Sequence, residues 1–166
     1  MTESVVDLRV KCDRTMCIAG PSHSGKTHLT LRIIDNRETF FECALGRVVW
    51  CYGIYQSALH MELERRGVLS RPDIIPSDDI QPFDLIVLDD LLNESRSSHD
   101  VTAMFTKAAH HKPCFIIFIT QNLFPGGKGA RIRSLNTHYY ILFKNPRDKS
   151  QIEFLARQIA RVNLRP

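Results

Sequence analysis

The chain is 166 residues long, with 43% hydrophobic residues, 24% charged residues and a formal charge of +4. That length suits one domain able to bury a core, and the composition is that of a globular protein, not a disordered one. No apolar run nears the ~18 residues of a membrane span, the longest (around Cys114–Ile119) is strand-sized, and Met1-Thr-Glu-Ser lacks the basic and apolar regions of an export signal.

Apolar runs alternate with helical patterns, the signal of a mostly parallel sheet covered by helices on both faces. A strand is expected at about Arg14–Ala19 and a helix from Lys26 to about Asn36. A second strand covers about Arg47–Tyr52, and a helix from about Gln56 to Arg66 is stopped by Gly67. The stretch Val68–Phe83 holds Pro72, Pro76 and Pro82 and reads as connection. A third strand, Asp84–Asp89, precedes a helix opened by Ser97 with Asp100 as a capping box, which sets Val101, Met104, Phe105 and Ala108 on one face. Pro113 opens a fourth strand, Cys114–Thr120, and a fifth covers about His138–Phe143. Ile152, Leu155, Ala156 and Ile159 share helical spacing in a final helix. The reading is a five-strand α/β domain over residues 14–160, with an extension at 1–13 and a basic tail at 161–166.

Gly20-Pro21-Ser22-His23-Ser24-Gly25-Lys26-Thr27 matches G-x-x-x-x-G-K-[ST] in full, between a strand and a helix. The chemistry needs this spacing. The glycines let successive backbone N–H groups turn inward on phosphate oxygens, and the helix N-terminus adds partial positive charge. Lys26 can reach the β- and γ-phosphates, and the Thr27 hydroxyl can bind Mg²⁺. His23 occupies a position of the loop that tolerates any residue.

Such a site also needs a carboxylate for the Mg²⁺ shell, carried on a buried strand beside the loop. Phe83-Asp-Leu-Ile-Val-Leu-Asp89-Asp90 supplies it: Asp89 is expected to coordinate the metal, and Asp90 to act as base or water-positioner. Two acids in succession suggest hydrolysis over transfer to a small acceptor. The strand Cys114–Thr120 runs into Gln121, which can hydrogen-bond the attacking water or report whether phosphate is present; the plainer reading is a helix or loop cap. Pro125-Gly-Gly-Lys-Gly129, followed by Arg131 and Arg133, is a basic glycine-rich loop. It can offer Arg131 or Arg133 to a neighbouring subunit's nucleotide, or Lys128 to a nucleic-acid backbone; the plainer reading is a solvated loop. Arg147 is a further candidate finger, unless it pairs with Asp148.

These motifs, in their order and spacing, resemble the DNA-packaging ATPases of the FtsK–HerA superfamily. The elements are Gly-Pro-Ser-x-Ser-Gly-Lys-Thr, Leu-Ile-Val-Leu-Asp-Asp, Ile-Thr-Gln121-Asn-Leu-Phe, Arg133-Ser-Leu-Asn136 and Phe143-Lys-Asn-Pro-Arg-Asp148. The nearest versions are those of Polinton/Maverick-type elements and related double-stranded DNA viruses, the poxvirus enzyme being more distant. The likeness runs from about Arg14 to Ile159, and the segment from Thr120 to Asp148 discriminates it from other P-loop families. It implies a RecA-like core using ATP and Mg²⁺ in a pentameric or hexameric homo-oligomeric ring that moves double-stranded DNA into a capsid. A capsid portal or vertex is then the implied partner. The implied location is intracellular, at sites of virion assembly in nucleus or cytoplasm, or in the virion. Gln121 matches the polar residue ending the family's fourth strand, and Arg131 or Arg133 the arginine acting in trans. Unlike larger relatives, the sequence stops soon after the final helix, with no nuclease or DNA-grip domain expected. Two other readings stand beside this one: a small P-loop kinase for a nucleoside or metabolite, and a nucleotide-bound assembly module without turnover.

The five cysteines (Cys12, Cys17, Cys43, Cys51 and Cys114) lack CxxC pairing and are expected to be reduced, partly buried thiols of a cytosolic or nuclear protein. Charge is uneven: Pro72–Thr102 carries eight acids against one base, and the chain from Gly126 onward nine bases against two acids. Either these are two solvated faces, or they are complementary edges with bases left over for nucleic acid.

Overall fold

A computed structural model of the chain describes residues 7–91, 113–124 and 134–163, with side chains described as far as residue 158. The helix expected behind Ser97 and the Pro125–Arg133 loop, with Lys128, Arg131 and Arg133, lie outside the described residues.

The strands are β1 (Thr15–Ala19), β2 (Val48–Tyr52), β3 (Leu69–Pro72), β4 (Leu85–Asp89), β5 (Phe115–Thr120) and β6 (Tyr139–Leu142). The helices are α1 (Lys26–Asp35), the short α2 (Arg37–Phe40), α3 (Ser57–Arg65) and, last in the chain, α4 (Ser150–Asn163). Among the described residues six strands form one sheet in the order β3-β2-β4-β5-β1-β6. Every pairing in it is parallel.

The expected five strands therefore become six. The addition, β3, sits inside the proline-rich stretch that reads as connection. It runs along the outer edge of β2, with Val49 opposite Leu69 and Tyr52 opposite Pro72. An edge strand leaves one row of backbone groups unpaired, so its terminal proline costs no ladder bond. Leu69 is itself exposed, so the apolar run that marks an inner strand is missing.

β1 and β5 are buried along their whole length, as strands covered on both faces must be. On one face Met16, Ile18, Trp50, Val87, Phe115 and Ile117 pack against Leu31, Ile33 and Ile34 of α1 and Leu63 of α3. On the other, Cys17, Val49, Cys51, Ile86, Leu88 and Phe118 pack against Ile74, Ile75, Ile80 and Leu91. The start of α4 approaches this second face, where Gln151 and Ile152 share a cleft with Leu123 and Leu142.

The cysteine expectation is corrected in part: Cys12 and Cys43 form a disulfide. A parallel bridge between Val10 and Phe41 brings them together, with Val10 N donating to Phe40 O and Glu42 N to Val10 O, both at 2.9 Å. Two residues further along each segment the Cα atoms are 6.2 Å apart, within disulfide reach. Sequence spacing carries no trace of this bridge, since 31 residues separate the two cysteines. Cys51 and Cys114 are buried thiols, and burial pushes each up to about 11, which keeps them protonated.

The order of the sheet sets where chemistry can happen. β5 lies between β1 and β4, with Thr120 opposite Ala19 and Ile119 opposite Asp89. The three strands thus end level, and Gly20, Asp90 and Gln121 emerge side by side at the carboxyl edge, where open α/β sheets bind ligands. This is the RecA-like P-loop α/β fold.

Candidate active site

The phosphate loop leaves β1 at Gly20 and enters α1 at Lys26. Gly25 caps the helix with φ 99°, in the left-handed region that glycine adopts without cost. Gly20 is required for a different reason, because a Cβ there would lie 2.5 Å from Cβ of Phe143, just past the end of β6. Phe143 is held in turn by its own N–H, which donates to Ala19 O at 2.8 Å. The aromatic ring therefore backs the loop and fixes its path. His23, at φ 61°, is exposed at the loop's turn.

Inside the loop, Lys26 Nζ donates to Gly20 O and Pro21 O, both at 2.8 Å. Burial draws its ammonium below the ordinary lysine value, opposed by the charges of Asp90 and Asp89. Ser24 Oγ is buried and has no hydrogen-bond partner. A cradle without Cβ atoms at Gly20 and Gly25, an enclosed ammonium and an orphaned hydroxyl together fit a triphosphate bound with Mg²⁺.

At the neighbouring strand end, burial foremost, and then the charge of Asp90, push the Asp89 carboxyl up to about 6. The Trp50 indole and the Lys26 ammonium offset that only in part. Asp90 has φ 54°, left-handed for a non-glycine residue, which strains the backbone by roughly 1–2 kcal/mol. The strain turns its carboxylate out of the strand line and toward β5. There Gln121 Nε2 donates to Asp90 Oδ2 at 3.2 Å, while Ser22 Oγ donates to Gln121 Oε1 at 3.0 Å. Gln121 thus bridges the phosphate loop and the carboxylate pair. Of the expected site residues, the structure brings together the loop from Gly20 to Thr27, Asp89, Asp90 and Gln121.

Arg147 and Asp148 do not pair. Asp148 instead accepts from Ser150 Oγ at 2.5 Å and Gln151 Nε2 at 2.6 Å at the start of α4, and these bonds hold its carboxyl below the usual range. Arg147 is exposed, with its N–H on Asn145 Oδ1 at 3.2 Å. Asp84, the first acid of the same apolar run, is not part of the site. It lies at the opposite end of β4, 1% exposed, in a two-bond pair with Arg47 at 2.6 and 3.1 Å.

Two contributors escape sequence reasoning. Phe143 stands behind Gly20, and Trp50 of β2 stands beside Asp89. Neither contact has a sequence signal, because each depends on which strands are neighbours. Among the described residues no cluster of three or more His, Cys, Asp or Glu forms a metal-binding group, and no helix is long and apolar enough to cross a membrane.

No protein-family model matches the sequence, and no curated protein matches it. Among solved structures, two RuvB variants from Thermotoga maritima are similar at 11% identity and TM-score 0.49, over 90% of this chain and 44% of theirs. The chain spans less than half the length of those structures.

Proposed function

We propose that the chain is an ATPase whose hydrolysis drives the translocation of double-stranded DNA, as a subunit of a homo-oligomeric ring that packages a genome into a capsid. The observation that carries the hydrolytic part is the Gln121 bridge. A polar side chain tied to both the phosphate loop and a carboxylate is suited to orient an attacking water. Gln121 aligns that water, and Asp90 takes its proton as the water oxygen attacks the γ-phosphorus and ADP leaves. Lys26 and the loop N–H groups stabilise the charge gathering on the phosphate oxygens.

Thr27 and Asp89 are the residues that would hold Mg²⁺, which when bound neutralises phosphate charge. One protein carboxylate with a hydroxyl is the sparse ligand set expected where phosphate oxygens and water complete the shell. Asp89 suits this role because its ionised form is disfavoured by burial and favoured by a cation.

The DNA-packaging part, with its ring, its capsid partner and its location at sites of virion assembly, is supported by the motif resemblance, most of all between Thr120 and Asp148. A P-loop domain can bind and cleave ATP but does not by itself encircle a duplex, so the ring reading calls for several such domains side by side, with Arg131 or Arg133 of one completing the site of the next.

The test is ATP turnover with and without long duplex DNA, across a range of protein concentration. Stimulation by DNA that rises with subunit concentration is the expected result. Turnover that requires a small phosphate acceptor overturns the reading in favour of a kinase, and nucleotide binding without turnover in favour of an assembly module.

A further inference from the structure

Trp50 is the single tryptophan of the chain, and it is fully buried in the middle of β2. Its ring lies on the α1 side of the sheet, in the same apolar cluster as Val87. Val87 is its register partner on β4, and Asp89 is two residues further along that strand, hence on the same face. The indole is therefore diagonal to the Asp89 carboxylate, within reach of a large aromatic side chain. Its Nε1 is buried and has no hydrogen-bond partner. A buried donor without a partner is costly, and aliphatic or phenyl side chains would fill this space without that cost. Of the two carboxylates at the end of β4, Asp89 is the one in strand register on the indole's face.

We propose that Trp50 is a positioning residue for Asp89, its indole N–H donating to the carboxylate and fixing the oxygens that face the cation. The inference rests on the proposed role of Asp89 in holding Mg²⁺. The donor costs stability for as long as it lacks a partner. Carboxylate ligands held by a second hydrogen bond bind metal more tightly than free ones, by roughly 10–100-fold.

A single tryptophan gives one indole N–H resonance in ¹⁵N-labelled protein, so the contact can be read without any activity. Asp89→Asn is expected to move that resonance markedly, while Glu64→Gln on α3 leaves it in place. MgCl₂ with ADP is expected to move it in the unmutated protein. Replacing Trp50 by its benzothienyl analogue, which keeps the shape and loses the N–H, is expected to weaken Mg²⁺ binding about tenfold while leaving the thermal midpoint nearly unchanged. Trp50→Phe serves as the natural counterpart. An indole resonance blind to Asp89→Asn overturns the contact. If the resonance answers to Asp89→Asn but not to Mg²⁺ with nucleotide, the pairing stands and the metal role of Asp89 fails.

Discussion

Gln121 has one amide orientation that serves both neighbours, with Nε2 toward the Asp90 carboxylate and Oε1 toward the Ser22 hydroxyl. Alanine at this position removes the bridge and leaves the phosphate loop intact. Gln121→Ala is therefore expected to lower turnover by about 100-fold while ATP affinity changes little, measured by single-turnover hydrolysis beside equilibrium binding. Gln121→Glu is expected to be no better, because it sets a second negative charge against Asp90. The residues of the phosphate loop are legible in sequence because their geometry is local: eight consecutive positions make the cradle. The Gln121 bridge is half legible, its position at a strand end being readable and its partners not. The contacts of Trp50 with Asp89 and of Phe143 with Gly20 are invisible in one dimension, since each joins side chains from strands far apart in the chain.

Each end of β4 is fixed by acids of opposite purpose. At the start, Asp84 is buried and tied to Arg47, whose Nη2 also donates to Asp79 O at 2.7 Å, and Gln81 N donates to Asp84 Oδ2 at 2.8 Å. Removing the cation strands a buried carboxylate. Arg47→Met is expected to destabilise the fold by about 3 kcal/mol in urea denaturation, and adding Asp84→Asn to recover part of the loss. At the other edge of the sheet, β6 is registered on β1 partly through His138, whose Nδ1 accepts from Thr15 N at 3.3 Å. Desolvation first, and then the Arg14 charge, hold this imidazole below its usual 6.5. The unfolded chain thus binds the proton more readily, so the contribution is intact above pH 6.5 and is lost as pH falls below it. The denaturation midpoint is expected to drop between pH 7 and pH 5, and His138→Gln to flatten that slope. Among the described residues α1, α3 and the inner strands were legible from periodicity, within about two residues at their ends, whereas the one-turn α2 is too short to show a period. β3 was not, because an exposed edge strand needs only backbone partners.

At the scale of the molecule, the acids of the Pro72–Thr102 stretch that lie among the described residues do not gather in one place. Asp84 and the Asp89–Asp90 pair come from one short run yet occupy opposite ends of the sheet, one neutralised by arginine and the other set beside Lys26. The disulfide is a second long-range feature, tying Cys12 ahead of β1 to Cys43 ahead of β2. Cys12→Ser is expected to cost about 3 kcal/mol under non-reducing conditions, and dithiothreitol to bring the unmutated protein to the same denaturation midpoint.

The strand that carries the phosphate loop has its neighbours about a hundred residues or more further along the chain: Met16 lies between Ile117 and Tyr139. Such non-local pairing slows folding and makes it highly cooperative. The cradle is written early in the sequence but completed last, since a ribosome must release β5 and β6 before β1 has walls. Binding competence is therefore expected to arise late and in a single step during refolding, with fluorescent nucleotide uptake following the same time course as the signal of Trp50. A nascent chain that ends before β5 should bind no nucleotide, although it already contains every residue from Gly20 to Asp90.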